Sequence, residues 1–457
     1  MRRPEARQAS MPGARGFVRP ASPDHRARSA YEIAGGGPPP VCYPARLMTR
    51  RHTHPSVLML LIMPFGVLNG YLVVTLAYVL SHAGLKVEQI AGLIALSYVP
   101  HTWKFLWAPI ADTTLSRKTW YLIGGITTAI TMALTGLIPA NAGHMAQLSA
   151  LILISNFAVT LVGMSTESLM AHNATEAEKG RAGGWFQAGN LGGSGIGGGI
   201  GLTLAQKLPE PWMAGTALAV GCLACASGLF LIPEPASTIR GSKMTTSLLN
   251  VVKDIWMVAK SRRGFLALVL CFLPIGSGAA SGLWAAVARD WSASAGTVAL
   301  VTGVVGGLVS ALGCLIGGYV CDRMHRKLAY ALFGIMQAGC AVAMAVTPHT
   351  ETNYIIFTTV YALITGFTYA GFTAFVLEAM GLGAAATKFN LYASLSNFPI
   401  MYMTTIDGWA HGRYGPSGML FAEASVGMAG LVVFMGVLRL WPKTLEMRVV
   451  RESPPAV

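Results

Sequence analysis

Residues 318–327 read Gly-Tyr-Val-Cys-Asp-Arg-Met-His-Arg-Lys, and this is the strongest motif in the sequence. It is a short charged segment between two long apolar runs, near 297–320 and 328–347. A small residue such as Gly318 lets two helices approach closely, and Asp322 can cap the following helix and pair with Arg. A basic cluster between two spans is typical of a cytoplasmic loop. The stretch therefore predicts two membrane helices joined inside the cell, although it could also serve membrane topology alone.

The pattern has a counterpart earlier in the chain. Three pairs of residues share one separation of 210 positions: Pro64 with Pro274, Gly66 with Gly276, and Asp112 with Asp322. Arg117 and Lys327 have the same separation. One spacing shared by two helices and a loop indicates an internal repeat rather than chance.

Apolar runs long enough to cross a hydrocarbon core, which needs about 20 helical residues, occur throughout the chain. Twelve lie near 57–80, 89–110, 120–139, 147–170, 184–205, 213–232, 265–288, 297–320, 328–347, 354–377, 389–410 and 417–440. With the repeat, they predict an all-α membrane protein of the major facilitator fold, twelve helices in two six-helix bundles.

The predicted organisation has five parts. We expect a disordered basic tail over 1–56, bundles over 57–232 and 265–440, a central cytoplasmic loop over 233–264 and a tail over 441–457. A weakly amphipathic stretch over 246–263 suits a helix on the inner membrane surface. Met48 is an alternative start, so residues 1–47 are expected to be dispensable.

Composition agrees with a membrane protein. Of the 457 residues, 53% are apolar and only 11% are charged, against about 25% charged in soluble domains. The net charge of +14 could indicate nucleic-acid binding. However, all but five of the 33 Lys and Arg residues fall on one predicted side of the membrane. That asymmetry instead predicts an inner-membrane protein with both termini in the cytoplasm and no nucleic-acid partner.

Short motifs carry a family resemblance. Residues 103–109 read Trp-Lys-Phe-Leu-Trp-Ala-Pro and are followed by Asp112. They resemble a signature of the AmpG-like permeases and their acetyl-CoA transporter relatives within the major facilitator superfamily. Similar runs occur at 371–375, 386–389 and 393–396. Residues 318–327 resemble the superfamily loop signature, with His325 in place of the usual Gly.

The resemblance implies proton-coupled uptake, for the best-known members of anhydro-muropeptides; other relatives move siderophores or acetyl-CoA. At the end of the fourth predicted helix the chain departs from the family pattern. Where AmpG-like sequences show acidic residues around Asp-Ala-Tyr, this chain has Glu167, Ala171, His172 and Asn173.

Charged residues inside predicted helices are candidates for function, since inserting one costs about 2.5–3.5 kcal/mol or more. Lys104 and Glu167 lie about 9 Å and 5 Å above the inner helix ends. We expect them to form a coupling ion pair, the alternative being a static structural pair. Asp407 and Glu423, near predicted outer helix ends, and Glu378, at an inner end, are expected to be solvated interfacial carboxylates.

Two further sets complete the candidate site. The predicted gating loops contain Asp112, Arg117, Asp322, Arg323 and Arg326. Residues expected to face a substrate cavity are Asn69, Tyr71, His101 and Trp284.

Three functions compete. The first is a proton-coupled importer of a polar solute such as a muropeptide or siderophore, and the second is an exporter or exchanger on the same fold. The third, a membrane-embedded acyltransferase, is disfavoured because His101 is the only His clearly at membrane depth. With no ATP-binding signature, we expect a monomeric transporter, not an enzyme, whose partners are a small solute, protons and lipid. No cofactor or metal is expected: six of the seven cysteines lie in or beside apolar runs.

Overall fold

A computed structural model describes residues 53–173, 179–210, 212–234, 262–380 and 391–440, with four single residues between 249 and 260. Residues 1–52 of the predicted first tail and all of the predicted tail over 441–457 lie outside this part of the chain. So do most of the predicted amphipathic stretch and residues 381–390. The backbone is described at Asp112 and Glu378, but their side chains are not.

Twelve consecutive helical segments run through the described residues. They are α1 Ser56–His82, α2 87–113, α3 Arg117–Leu137, α4 Met145–Asn173, α5 179–207, α6 Trp212–Phe230, α7 262–291, α8 Ala295–Arg323, α9 Arg326–Val346, α10 Glu351–Met380, α11 391–414 and α12 416–440. Each predicted apolar run overlaps one of them, and the ends differ by at most five residues.

Length and hydropathy alone identify eight stretches of the described residues that could cross a membrane. One of these, Leu391–Arg439, contains both α11 and α12. The helices that do not meet these criteria of length and hydropathy are α2, α5 and α7. Both α2 and α7 are interrupted, while α5 is rich in glycine.

The end of α11 corrects the predicted boundary. His411, Gly412, Arg413 and Tyr414 resemble a polar loop, which is why the predicted helix stops at 410. In the structure the helix continues through them, and the chain turns only at Gly415, whose φ of 72° is left-handed. Pro416 then begins α12, because proline is tolerated at the start of a helix.

The repeat positions have different conformations in the two halves. In α1 the helix is continuous through Pro64. In α7 the regular helix stops at Phe272 and resumes as a 3-10 turn at Ala279, with Pro274 in the gap. Gly276 and Gly278 in or beside this gap have φ of 59° and 71°. Such backbone conformations cost residues other than glycine about 1–2 kcal/mol.

Glycines of α5 let three helices approach closely. A side chain at Gly197 would collide with the carbonyl oxygen of Val67 in α1, and a Cβ at Gly303 of α8 would lie 2.6 Å from the Gly199 nitrogen. All three helices contain π-helical turns here, over 71–76, 196–200 and 299–305. The Thr75 hydroxyl donates to the Gly197 carbonyl at 2.8 Å.

Contacts between the two halves of the chain are strong at what we call the outer end, where α1 joins α2 and α7 joins α8. The Ser81 hydroxyl of α1 donates to the Ala286 carbonyl of α7 at 2.7 Å. Arg289 donates to the carbonyl oxygens of Ser81 and His82, each at 3.3 Å. A guanidinium at the carbonyl end of a helix is favourable, because that end is partially negative. The opposite end is called the inner end.

Candidate functional site

The irregular part of α2 coincides with the family-like motif at 103–109. Regular helix ends at Trp103, a 3-10 turn covers Lys104–Leu106, and helix resumes at Ala108 with a proline in its first turn. Pro109 has no backbone N–H, so it cannot continue the hydrogen-bond ladder of the preceding turn. A 3-10 helix has three residues per turn. This places His101, Lys104 and Trp107 along one side of α2.

Lys104 meets Glu167 of α4, with 3.6 Å between the ammonium nitrogen and the Oε1 carboxylate oxygen. The two side chains are 18% and 33% exposed. The pair is therefore partly buried and can exchange its partners for water or solute. The structure thus brings together the two residues predicted to form the coupling pair; whether they couple protons remains a prediction.

His101 lies one turn above Lys104 and is also held by α4. Its Nε2 is 3.1 Å from the Asn156 Oδ1, and the Asn156 amide nitrogen donates to the Ile152 carbonyl at 2.9 Å. The Asn156 oxygen therefore acts as an acceptor, and the matching His101 tautomer is protonated at Nε2. The ring of Phe65 from α1 packs edge-on against His101 at 5.3 Å.

A third contact completes the row between α2 and α4. The indole nitrogen of Trp107 donates to the Thr160 hydroxyl at 3.2 Å. Asn156, Thr160 and Glu167 are four and seven residues apart, a spacing that puts them on one face of a helix. We call the six residues of this row the α2–α4 polar row; they are His101, Lys104, Trp107, Asn156, Thr160 and Glu167.

Arg117, a predicted gating residue of the first half, contacts α4 and the segment just after α6. Arg117 begins α3, and its Nε donates to the hydroxyl of Ser168, the residue after Glu167. The backbone nitrogens of Arg117 and Lys118 donate to the Glu234 carboxylate at 2.9 and 3.1 Å. A carboxylate at a helix N-terminus is stabilised by the free N–H groups there.

In the second half, Asp322 is exposed in the last turn of α8 and makes no hydrogen bond or ion pair with any described residue. The Arg323 guanidinium instead lies over the Tyr319 ring, 3.8 Å from its centre, and bonds its hydroxyl. Arg326 begins α9. Arg323 therefore contacts Tyr319 rather than Asp322 in this conformation.

The other predicted cavity residues are dispersed. Asn69 is exposed on α1, one turn beyond Phe65. Tyr71 is buried and lines a separate pocket of about 260 Å³, shared with Thr135 of α3 and Trp212 of α6. Trp284 is buried in α7, where its ring packs edge-on against Tyr361 at 5.3 Å. Of the four predicted cavity residues, His101 is the one that belongs to the α2–α4 polar row.

Asp407 and Glu423 are not the solvated interfacial carboxylates that the sequence predicted. Asp407 is fully buried, and Glu423 is only 5% exposed. For Asp407 the prediction was wrong because it ended α11 at 410, whereas the helix continues to the turn at Gly415 and places this residue about 10 Å from the helix end. Glu423 is removed from solvent by its contacts with neighbouring helices. The dipeptide Gly415-Pro416 is a strong turn signal, and it could have located the helix end correctly.

The buried carboxyl groups are adjacent to each other and to polar groups of α7 and α10. The Tyr361 hydroxyl donates to the Glu423 Oε1 at 2.7 Å, and the Ser277 hydroxyl to the same oxygen at 3.3 Å. Gln337 of α9 donates to the Thr365 hydroxyl, one turn from Tyr361, at 3.1 Å. Four helices and the break in α7 thus surround one buried polar cluster.

Comparison with known proteins identifies the family. The family model for the Major Facilitator Superfamily matches residues 57–404. The chain belongs to this superfamily. It is therefore a multi-pass membrane transporter of small solutes and not an enzyme, and its twelve helices are those of the major facilitator fold.

Relatives and solved structures agree with this assignment. The chain is 23% identical over 365 residues to the anhydromuropeptide permease of Escherichia coli K12, covering 77% of this chain and 72% of the permease. A nucleoside transporter superposes with a TM-score of 0.65 at 14% identity, covering 84% of this chain and 98% of that one. A D-xylose-proton symporter superposes with a TM-score of 0.65 at 11% identity, covering 85% of this chain and 98% of that one.

Proposed function

We propose that this transporter is a proton-coupled importer of a bulky polar solute of the sugar-peptide class across the inner membrane. The observation that carries the proposal is the partly buried ion pair of Lys104 and Glu167 within the α2–α4 polar row. The solute class is supported by similarity to a permease of anhydromuropeptides and by the family-like motif at 103–109 that builds this row.

The pair has the properties that coupling requires. Ionisable groups at membrane depth are usually paired and mark ion or proton pathways. A nearby ammonium favours the charged carboxylate, whereas loss of water favours the protonated acid. A conformational change that separates Lys104 from Glu167 or alters their hydration therefore changes proton affinity. His101 and Asn156 provide neighbouring hydrogen-bond groups for a polar solute.

Proton-coupled import and export differ in whether the solute crosses the membrane in the same direction as the protons or in the opposite direction. We favour import because of the permease similarity, and an exporter or exchanger on the same fold is the alternative. The closed outer end fits either cycle, since both pass through a state open to the inside.

The test uses the purified full chain in liposomes, with a radiolabelled anhydro-muropeptide as the probe. We expect accumulation above the external concentration when the outside is acidic, and collapse of that accumulation when a protonophore is added. A disaccharide without the peptide and a siderophore serve as comparison probes. Accumulation driven by the opposite proton gradient would favour the exchanger. No gradient-dependent movement of the muropeptide would reject this solute class.

A further inference from the structure

We infer that Asp407 and Glu423 form a proton-binding carboxyl pair in the second half of the transporter, separate from the α2–α4 polar row. The inference rests on the proposed proton-coupled function and extends it by naming a second site for the driving ion. It starts from the position of the pair, its unpartnered oxygen atoms and the absence of a cation beside it among the described residues.

Depth is the first argument. Asp407 lies seven residues before the end of α11 and Glu423 seven residues after the start of α12, or about 10 Å along each helix. Tyr361 is about 15 Å from the outer end of α10, and Gln337 about 14 Å from that of α9. These groups therefore lie at similar depths, about two to three helical turns inside the outer helix ends.

Unpartnered oxygens are the second argument. Among the described residues, both carboxyl oxygens of Asp407 and the Oε2 of Glu423 are buried without a hydrogen-bond partner, as is the Oε1 of Gln337. Gln337 is only 2% exposed, and its amide lies beside the α7 break, with Oε1 3.6 Å from a Cβ built on Gly276. A buried acceptor without a donor is costly. The cluster therefore lacks hydrogen-bond donors for these buried oxygen atoms.

Charge is the third argument. An ionised carboxylate is only an acceptor, whereas a protonated carboxyl group donates one hydrogen bond. Two adjacent buried carboxylates repel each other and lose their hydration, so both cannot remain ionised without compensation. One proton added to either group removes a negative charge and supplies a donor to the other. The reaction is simple protonation of a carboxylate oxygen, with no other reactant.

The surrounding titratable groups do not replace that proton. Among the described titratable residues of α10, Tyr361 is the one that bonds the pair, and α9 contributes the uncharged amide of Gln337, which bonds Thr365 one turn from Tyr361. Glu88 of α2 is exposed beside Gly412, one turn outward.

Asp290 of α7 and His411 of α11 are bonded to each other at 2.7 Å, and Tyr402 donates to the Phe272 carbonyl. No Lys or Arg of the described part forms an ion pair with Asp407 or Glu423.

The break in α7 gives the pair a means of changing its environment. Ser277 lies within the break and donates to Glu423, so a change at Gly276 or Gly278 alters the donors around the carboxyl group. Interrupted membrane helices commonly form ion and substrate sites in transporters. A sodium ion, which also binds oxygen ligands, is the main rival occupant, and adding sodium chloride at constant pH distinguishes it from a proton.

The experiment is infrared spectroscopy of the purified full chain in detergent at neutral pH, without any solute. Exposed carboxyl groups are ionised there because they titrate near pH 4. A C=O stretching band that shifts in D2O therefore reports a buried, protonated carboxyl group. We expect this band in the wild type. It should shift in Asp407→Asn and in Glu423→Gln, and disappear in the double variant. Glu88→Gln, a nearby exposed carboxyl group, should leave it unchanged.

Several outcomes would overturn the inference. These are no band in the wild type, a band that survives the double variant, or a wild-type band that sodium chloride removes at constant pH. The sodium measurement needs no variant, so the inference stays testable if the double variant does not fold. Failure of muropeptide uptake with the band present would reject only the solute. Proton-driven uptake without the band would reject only this second proton site.

Discussion

At the scale of single residues, the α2–α4 polar row depends on local backbone geometry. The 3-10 turn at Lys104–Leu106 changes the spacing of α2 from 3.6 to about three residues per turn. Lys104 can therefore reach Glu167 while His101, three residues earlier, reaches Asn156. The function proposed for the row rests on Glu167 being able to exchange its proton.

Replacing Glu167 with Gln should abolish uphill accumulation but retain downhill exchange of the same solute. The amide keeps the shape and the hydrogen-bonding capacity of the carboxyl group but cannot carry a proton. Both modes should be measured in liposomes with equal amounts of folded protein. Glu210→Gln changes an exposed carboxyl group near the outer end and should preserve both modes.

If Glu167→Gln still concentrates solute against its gradient, Glu167 does not couple. If the variant loses thermal stability and all transport together, the pair with Lys104 is structural. Loss of accumulation alone, with exchange retained, distinguishes coupling from both.

Asp322→Asn should slow turnover about tenfold while leaving the amount of folded protein unchanged. Asp322 makes no ion pair with the described residues, so its interactions are available to a different state of the cycle. An interaction of about 1.4 kcal/mol made in only one state changes an equilibrium tenfold. Exchange rates per folded molecule provide the measurement. An unchanged rate would mean that residues 318–327 serve topology only.

The sequence located Lys104 and Glu167 well, because charges within apolar runs are rare and their depth can be counted. It failed for Asp407 because the depth of a residue depends on where its helix ends, and for Glu423 because burial depends on contacts with other helices. The polar residues after 410 imitate a loop, whereas His411 is held in the helix by its bond to Asp290 of α7. That partner is 121 residues away, and no local pattern reveals it.

At the scale of helices, the glycines of α5 determine how closely the two halves of the chain meet. The backbones of Gly199 in α5 and Gly303 in α8 are close enough to exclude a side chain. The repeat was visible in sequence, but its two copies differ: α1 is continuous through Pro64, while α7 is broken around Pro274. The difference depends on neighbours, since Gly276 lies against Thr368 of α10. Sequence alone could not predict it.

Gly303→Val should weaken closure of the outer end. Its Cβ would lie 2.6 Å from the Gly199 nitrogen and 2.8 Å from the Gly199 Cα, so α5 and α8 must separate. Overpacking of this kind costs about 1–3 kcal/mol. We expect a lower melting temperature and faster hydrogen exchange in residues 83–86 and 292–294.

Gly192→Val is the matched control, because nothing lies within 4 Å of a Cβ built on Gly192. It imposes the same branched side chain on a membrane helix without the collision. Equal effects of the two substitutions would mean that helix propensity, rather than the contact of α5 with α8, explains the result.

At the scale of the whole molecule, the distribution of basic residues predicts the direction of every helix. Lys86, Lys207, Arg289 and Arg413 are the four cationic residues predicted to lie outside, while both termini and the loop after α8 are predicted inside. The closed contacts between α1 and α7 then face outward, and the α2–α4 polar row lies in the inner half of the membrane.

Cysteine labelling tests this orientation. Lys86 and His325 are exposed in connections at opposite ends of the molecule. A membrane-impermeant maleimide should label Lys86→Cys in intact cells, but should label His325→Cys only after the membrane is permeabilised. Five of the six cysteines within the described residues are buried and Cys314 is half-buried, so their background labelling should be low.

The native chain with Cys42 replaced by Ser is the background for both variants, because Cys42 lies outside the described residues. Each labelled variant must also accumulate in the membrane to the same level as its parent. Labelling of His325→Cys in intact cells, together with protection of Lys86→Cys, would invert the predicted orientation. It would place the closed contacts of Ser81 and Arg289 on the cytoplasmic side and the α2–α4 polar row in the outer half of the membrane.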